Sequence, residues 1–147
     1  MKNKLIIALI LIISGIIVGN NLYSKVDFQL LKTFKENNDF YLLQLGTYDS
    51  KEDMQRDTRD INPKVYEIKN NKYYVYVGIS SNINNINKIK DIYSEKELTT
   101  KVINIKDEEF ITNLRQFDIL IDNTNNKDEV LTIEEVVLSS FNKKILE

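Results

Sequence analysis

The chain contains no cysteine and no histidine. Without cysteine it forms neither a disulfide nor a thiolate metal site. Without histidine it holds neither a Ser-His-Asp triad nor a histidine-ligated zinc ion. Its acidic clusters have the pattern of solvated helix faces and caps and lie in no glycine-rich or aromatic cleft. We therefore expect a binding protein with no catalytic residue, no metal and no cofactor, and not an enzyme.

The chain also lacks an excess of positive charge. Its 20 basic and 22 acidic side chains give a formal net charge of −2. Setting aside Lys2 and Lys4, which lie outside the expected folded part, leaves 18 − 22 = −4. A nucleic-acid binder needs a cationic face to displace counterions, so we expect no nucleic-acid partner. The length of 147 residues with 42% hydrophobic content is enough for one domain with a core and an appendage.

One long uncharged run is present, from Leu5 to Gly19, directly after the basic tetrapeptide MKNK. At ~1.5 Å per residue the run reaches only ~22 Å, short of a ~30 Å hydrocarbon slab. Residues 20–23 add about one turn and place Tyr23 at interface depth. A cleaved signal peptide and an uncleaved signal anchor both fit, and the absence of a good small-residue cleavage site favours the anchor.

An anchor of this kind gives the chain a topology. We expect residues 1–24 to form a single-pass anchor that contacts the cell membrane through residues 5–23. The two N-terminal lysines keep the N-terminus cytoplasmic and leave the C-terminal domain extracellular. Residues 25–39 are expected to act as a spacer that lifts the domain off the membrane.

The middle of the chain alternates strand and helix signals. The predicted order is strand 40–50, helix 51–61 ended by Asn62-Pro63, strand 64–68, strand 73–79, a helix through NNINKIKDIYSEK, and strand 101–105. The two central strands flank the turn KNN, where asparagine tolerates positive φ. Such a βαββαβ unit predicts an α+β fold over residues 40–106, an RNP-like four-stranded antiparallel sheet with two helices on one face.

The tail, residues 107–147, has helical periodicity. Apolar stripes fall at Phe110, Leu114, Phe117 and Ile121, and again at Ile133, Val136, Val137, Phe141 and Ile145. We read TNNKDEV as a loop, and Thr132 with Glu135 as a capping box that begins the last helix. The two helices are predicted to form an antiparallel hairpin. Their apolar faces bury against each other, against the sheet, or against another copy.

The stretch NKYYVYVGIS raises a question about the sheet. Alternation places Tyr73, Val75, Val77 and Ile79 on one side and Tyr74, Tyr76 and Gly78 on the other. In the first strand it separates Tyr41, Leu43 and Leu45 from Phe40, Leu42 and Gln44. The two helices should cover the valines, which leaves an open face with Leu42, Gln44, Tyr74 and Tyr76. That face binds a ligand, packs under the C-terminal helices, or forms a protein interface.

Two motifs in this unit resemble a known family. The first strand, FYLLQLGTY, carries Gln44 and Gly46 in a Gln-x-Gly-x-aromatic turn, and YYVYVG is of the Tyr-x-Val-x-Val-Gly type. In this order, residues 40–105 resemble a SPOR domain. The resemblance implies non-catalytic binding of peptidoglycan glycan strands, in a membrane-anchored SPOR-like protein of Bacillota involved in cell division or sporulation. It also implies that Gln44 faces the glycan.

We therefore expect a glycan-binding site at Leu42, Gln44, Tyr74 and Tyr76. Tyrosine rings offer flat apolar surfaces to sugar C–H groups, and the Gln44 amide offers both a donor and an acceptor. The alternative is a protein-interaction adaptor of a cell-envelope, division or sporulation complex that does not bind glycan. Its envelope partner would dock on the sheet face or on the C-terminal helices. Tyr74, where the family often has arginine, favours this alternative slightly.

Overall fold

The computed structural model describes residues 39–143. The predicted anchor and nearly all of the predicted spacer lie outside the described residues, as do residues 144–147. Within the described range, no helix is both long enough and apolar enough to cross a bilayer.

The described chain is an α+β domain, as predicted. Its elements are β1 (Asp39–Tyr48), α1 (Lys51–Asp57), β2 (Val65–Lys69), β3 (Lys72–Ser80), α2 (Ile83–Ile92), β4 (Thr99–Asn104), α3 (Glu108–Asn123) and α4 (Lys127–Phe141). The four strands form one sheet in the order β2-β3-β1-β4, and every pairing is antiparallel. The predicted four-stranded antiparallel sheet is confirmed.

Helix α1 is shorter than the sequence predicted. Ser50 caps its start, since its Oγ accepts from the Asp53 N–H at 3.1 Å and donates to Asp53 Oδ2 at 2.7 Å. The helix ends at Thr58, whose N–H and hydroxyl both donate to the Met54 carbonyl, at 3.0 and 2.7 Å. A local hydroxyl bond of this kind competes with further helical hydrogen bonding, so the helix stops before Ile61.

The β2–β3 turn forms as the sequence predicted. Asn70 and Asn71 have φ values of 51° and 58°, and they connect the directly paired Lys69 and Lys72. Two consecutive positive φ values match the right-handed twist of a two-residue hairpin.

Two bulges interrupt the pairing of β1 with β3. Leu43 pairs with Gly78, but the next residue of β1, Gln44, pairs with Tyr76, so Val77 is an extra residue on β3. A second bulge, on β1, restores the original register two residues later. An extra residue inverts the alternation of side chains beyond it.

The β3 bulge decides which side chains share a face. Tyr76, on one side of the extra residue, points to the same face as its partner Gln44. Gly78, on the other side of it, points to the opposite face together with Leu43. Uninterrupted alternation predicted Gly78 on the tyrosine side, and that prediction is wrong because of the bulge. We call the side of Leu42, Gln44, Tyr74 and Tyr76 the hairpin face and the side of Leu43, Val75 and Gly78 the helix face.

Helices α1 and α2 lie on the helix face. A Cβ atom on Gly78 would come within 3.0 Å of Cγ2 of Ile89 in α2, so that helix packs directly on the strand. Burial raises the pKa of Tyr48, and the negative charge of Asp57 in α1 adds to that rise. Tyr48 pairs with Tyr73 on the helix face, so α1 lies on that side as well.

The C-terminal helices form the predicted hairpin with a different boundary. Helix α4 begins at Lys127, because the side chain of Asn126 accepts from the N–H groups of Asp128 and Glu129, at 2.9 and 3.4 Å. Asparagine is among the best N-cap residues. The prediction that residues 127–130 belong to a loop and that Thr132 caps the helix is therefore wrong.

Candidate functional site

Three of the four predicted site residues are buried. Leu42 is 3% exposed, Tyr76 5% and Gln44 9%. The prediction that this face of the sheet lies open is therefore wrong. Tyr74 is the member of the predicted site that stays half-exposed.

The C-terminal helices close the hairpin face, and both of them contact β3. The apolar residues that they contribute to the core are Phe110, Ile111, Leu114, Ile121, Val130, Ile133, Val137, Leu138 and Phe141. These belong to the same buried cluster as Phe40, Leu42, Tyr76 and Ile79 of the sheet. The alternation pattern could not predict which element covers this face of the sheet, because the apolar faces of the tail helices had three possible partners.

Buried acids add polar contacts between the hairpin and the sheet. Asp118 of α3 accepts from the N–H and hydroxyl of Ser81, at 2.8 and 2.6 Å, from the hydroxyl of Ser80, and from the amide of Asn85 at 3.1 Å. Glu134 of α4 accepts from the Ile79 N–H at 3.0 Å. The hairpin is thus bonded to the end of β3 as well as packed on it.

Undocking this hairpin is too costly to serve as a gate. It would expose four large side chains on the sheet and at least as many on the helices. Burial of each stabilises the fold by about 1.5–3 kcal/mol, so eight of them amount to about 12–24 kcal/mol. The conformational entropy released by opening offsets part of this gross sum, but undocking removes much of the core. We therefore expect the hairpin to leave the sheet only when the domain unfolds.

The amide of Gln44 is directed to its own strand. Its Nε2 donates to Thr47 Oγ1 at 2.9 Å and to the Gly46 carbonyl at 3.4 Å. Its Oε1 is buried and has no hydrogen-bond partner within the described chain. This arrangement is that of a structural residue beside a bulge.

The hydroxyl of Tyr76 is also engaged. It donates to Glu67 Oε2 of β2 at 3.2 Å. Burial, followed by the charge of Glu67, raises the pKa of Tyr76, so the hydroxyl stays protonated and able to donate. The ring of Tyr76 is thus buried and its hydroxyl is bonded within the domain.

The accessible aromatic surface lies at one end of the sheet. Thr47 and Tyr48 of β1 pair with Tyr74 and Tyr73 of β3, and we call these four residues the open tip. All are at least partly exposed. The Nζ of Lys101 lies 5.4 Å from the centroid of the Tyr74 ring, so an ammonium occupies one side of that ring.

Sequence reasoning missed Tyr48, Tyr73 and Lys101 because it looked for the site on one face of the sheet, whereas these residues lie at or near one end of it. The signal that could have indicated the two tyrosines is their place in the sequence. Tyr48 is the last residue of β1, and Tyr73 follows the turn at Asn70 and Asn71 by two residues. Nothing in the local sequence indicates that Lys101 reaches the Tyr74 ring.

The C-terminal helices offer little apolar surface to a partner. Their apolar residues face the core, and Ile119 is the large apolar side chain that the described part of the hairpin leaves exposed. Among residues 39–143, no group of acidic side chains is arranged to hold a metal ion.

No protein-family model, no curated protein and no solved structure matches this chain. The SPOR resemblance therefore depends on the residue pattern of β1 and β3 alone, and the functions that it implies are proposals.

Proposed function

We propose that this chain is a membrane-anchored extracytoplasmic binding module of the cell envelope that acts as a protein-interaction adaptor through its open tip. The observation that carries this choice is the burial of Leu42, Gln44 and Tyr76 beneath α3 and α4. The surface on which a SPOR-like module would receive glycan is filled by the domain's own hairpin.

The proposed compartment depends on the N-terminal run. A signal anchor at residues 5–23 behind two lysines exports the remainder of the chain. The βαββαβ order, read as an RNP-like SPOR module, belongs to the same proposal, as does a role in division or sporulation. A binding role without chemistry is consistent with a chain that has neither histidine nor cysteine.

The open tip has the composition and position expected of a docking surface. Tyrosine is enriched at protein interfaces, because it combines a large apolar area with a polar end. The polypeptide enters the domain at Asp39, and β1 carries it to Tyr48 at the far end of the sheet.

In-cell crosslinking tests the adaptor role. A photoreactive amino acid replaces Tyr74 in the full-length chain, with Glu135, exposed on α4, as the matched control position. We expect one protein species crosslinked at position 74 and absent at position 135, and the two proteins, purified, to bind each other. Crosslinking to wall fragments alone, or equal products at both positions, would refute the adaptor role.

Glycan binding at the rim of the same surface is the second candidate. The observation that favours it is the half-exposed ring of Tyr74. Lys101 covers one side of that ring through a surface cation–π contact. Such a contact contributes about 0.5–1 kcal/mol, so a sugar could displace the lysine.

Pelleting with cell-wall sacculi tests this candidate. The full-length chain in mild detergent is mixed with intact or amidase-treated sacculi, and Tyr74→Ala is compared with wild type. Stronger pelleting with treated sacculi that Tyr74→Ala abolishes would support glycan binding. Negligible pelleting with both would reject it.

A further inference from the structure

Strand β2 is an edge of the sheet in the described chain. It pairs with β3 on one side and with no described strand on the other. Two of its apolar residues are exposed, Ile68 by 60% and Tyr66 by 39%. An uncovered edge with apolar side chains is a template for pairing with another chain.

The exposed apolar side chains of β2 continue a row across the sheet. Ile68 lies opposite Tyr73, and Tyr73 lies opposite Tyr48. The ring of Tyr66 is 5.9 Å from that of Tyr73. All four point to the helix face. The row ends at Ile68, where the strand edge is free.

We propose that β2 pairs antiparallel with β2 of a second copy, with the two-fold axis at Ile68. Residues directly opposite in an antiparallel pair lie on the same face. The two Ile68 side chains then meet and join the two apolar rows into one. On the hairpin face, Glu67 of each copy lies opposite Lys69 of the other. The pairing gains two ion pairs of opposite charge.

Two other registers are less favourable, one because of charge and one because of a lysine that is already bonded. An axis at Glu67 sets two carboxylates directly opposite each other, which is destabilising. An axis at Tyr66 sets the apolar Ile68 opposite Lys64, so the two Ile68 side chains no longer meet. The ammonium of Lys64 already donates to the carbonyls of Thr58 and Ile61, both at 2.8 Å.

The other edge of the sheet lacks this self-complementarity. Strand β4, sequence TTKVIN, exposes Val102 by 62%. It carries one cation, Lys101, and no acid, so self-pairing forms no ion pair in any register. Lys101 is also directed to the Tyr74 ring.

This self-association does not depend on the proposed function. It uses the outer edge of β2, whereas Tyr74 lies one strand further in, on β3 opposite Glu67. Its test measures only the formation of a dimer, so the outcome is independent of the adaptor and glycan tests.

Disulfide trapping tests the register directly, because the natural chain has no cysteine. Ile68→Cys is compared with Val102→Cys, an equally exposed position on the opposite edge, in the full-length chain in mild detergent. Opposed side chains have a high effective concentration, so we expect Ile68→Cys to form disulfide-linked dimers more than about tenfold faster. Equal rates, faster trapping at position 102, or no dimer at either position would overturn the proposal.

A charge exchange tests the ion pairs. Glu67→Lys and Lys69→Glu each set like charges opposite each other, so each should slow trapping of Ile68→Cys. The double exchange restores opposite charges and should restore the rate. Lys69 is exposed, whereas Glu67 is half-buried and also accepts from the Tyr76 hydroxyl. Circular dichroism therefore has to show that each variant keeps the fold before its trapping rate is compared. A double variant as slow as the singles would refute the register.

Discussion

The carboxyl group of Glu134 should make the domain less stable as the pH rises. It is fully buried, its Oε2 accepts from the Ile79 N–H at 3.0 Å, and its Oε1 has no partner in the described chain. Burial raises its pKa well above the ordinary 4.5; the Ile79 bond opposes that rise and the charge of Asp118 adds to it.

The sign follows from where the proton is held. Below pH 4.5 the side chain is protonated in the folded and unfolded chains alike, and its contribution is fully present. Above that pH the unfolded chain loses the proton while the folded chain keeps it. The free energy of unfolding then falls by up to about 1.4 kcal/mol per pH unit. The fall ends once the pH passes the raised pKa of the folded state.

Glu134→Gln removes this titration and keeps a carbonyl that accepts from Ile79. Its amide carries two N–H donors where the protonated acid carries one O–H, so it leaves one more buried donor unpaired, which costs about 1–3 kcal/mol at every pH. The variant is therefore expected to be less stable than wild type at pH 5 and to gain on it steadily toward pH 8. Urea unfolding of residues 38–147, a compact unit, measures both free energies across that range.

The matched control is Glu135→Gln, an exposed carboxylate on the same helix. It should leave the slope of stability against pH unchanged. A constant difference between wild type and Glu134→Gln from pH 5 to pH 8 would refute a buried, proton-holding Glu134.

Two further predictions concern packing. Lys88 donates to three carbonyls at the end of α3, at 2.7–3.2 Å. Urea unfolding should therefore show that Lys88→Met lowers the free energy of unfolding by about 1–3 kcal/mol. An equal loss in the control variant Lys90→Met would contradict this reasoning. Gly78→Ala places a methyl group 3.0 Å from Ile89 and should cost about 1–3 kcal/mol. In Gly46→Ala the nearest atoms to the new methyl group belong to the movable side chain of Tyr48, so the loss of stability should be smaller. An equal loss at both glycines would refute the close packing of α2 on β3.

Much of the architecture could be read from local signals. Period-two alternation located the strands, and the asparagine pair at residues 70–71 located the hairpin turn with its positive φ values. These features depend on neighbouring residues alone, which a sequence displays directly. The cap at Ser50 is of the same kind.

The rest was either ambiguous in the local sequence or depended on distant contacts. The bulge at Val77 moves Gly78 to the other face, and nothing in the local pattern marks an extra residue. The early start of α4 came from Asn126, one of several candidate caps in TNNKDE. The expectation of an open sheet face was wrong for a related reason, because burial of Tyr76 depends on a hairpin more than thirty residues away.

Labelling of single cysteines tests most directly whether the hairpin permanently closes the sheet face. Leu42→Cys lies beneath the hairpin and Tyr74→Cys lies on the open tip, in a chain with no other thiol. Because the buried site reacts only through opening of a stable unit, we expect a thiol reagent to label Leu42→Cys at least about a hundredfold more slowly. Labelling of both thiols at the same rate in the folded protein would contradict the closed face and make the buried tyrosine side a candidate binding surface again.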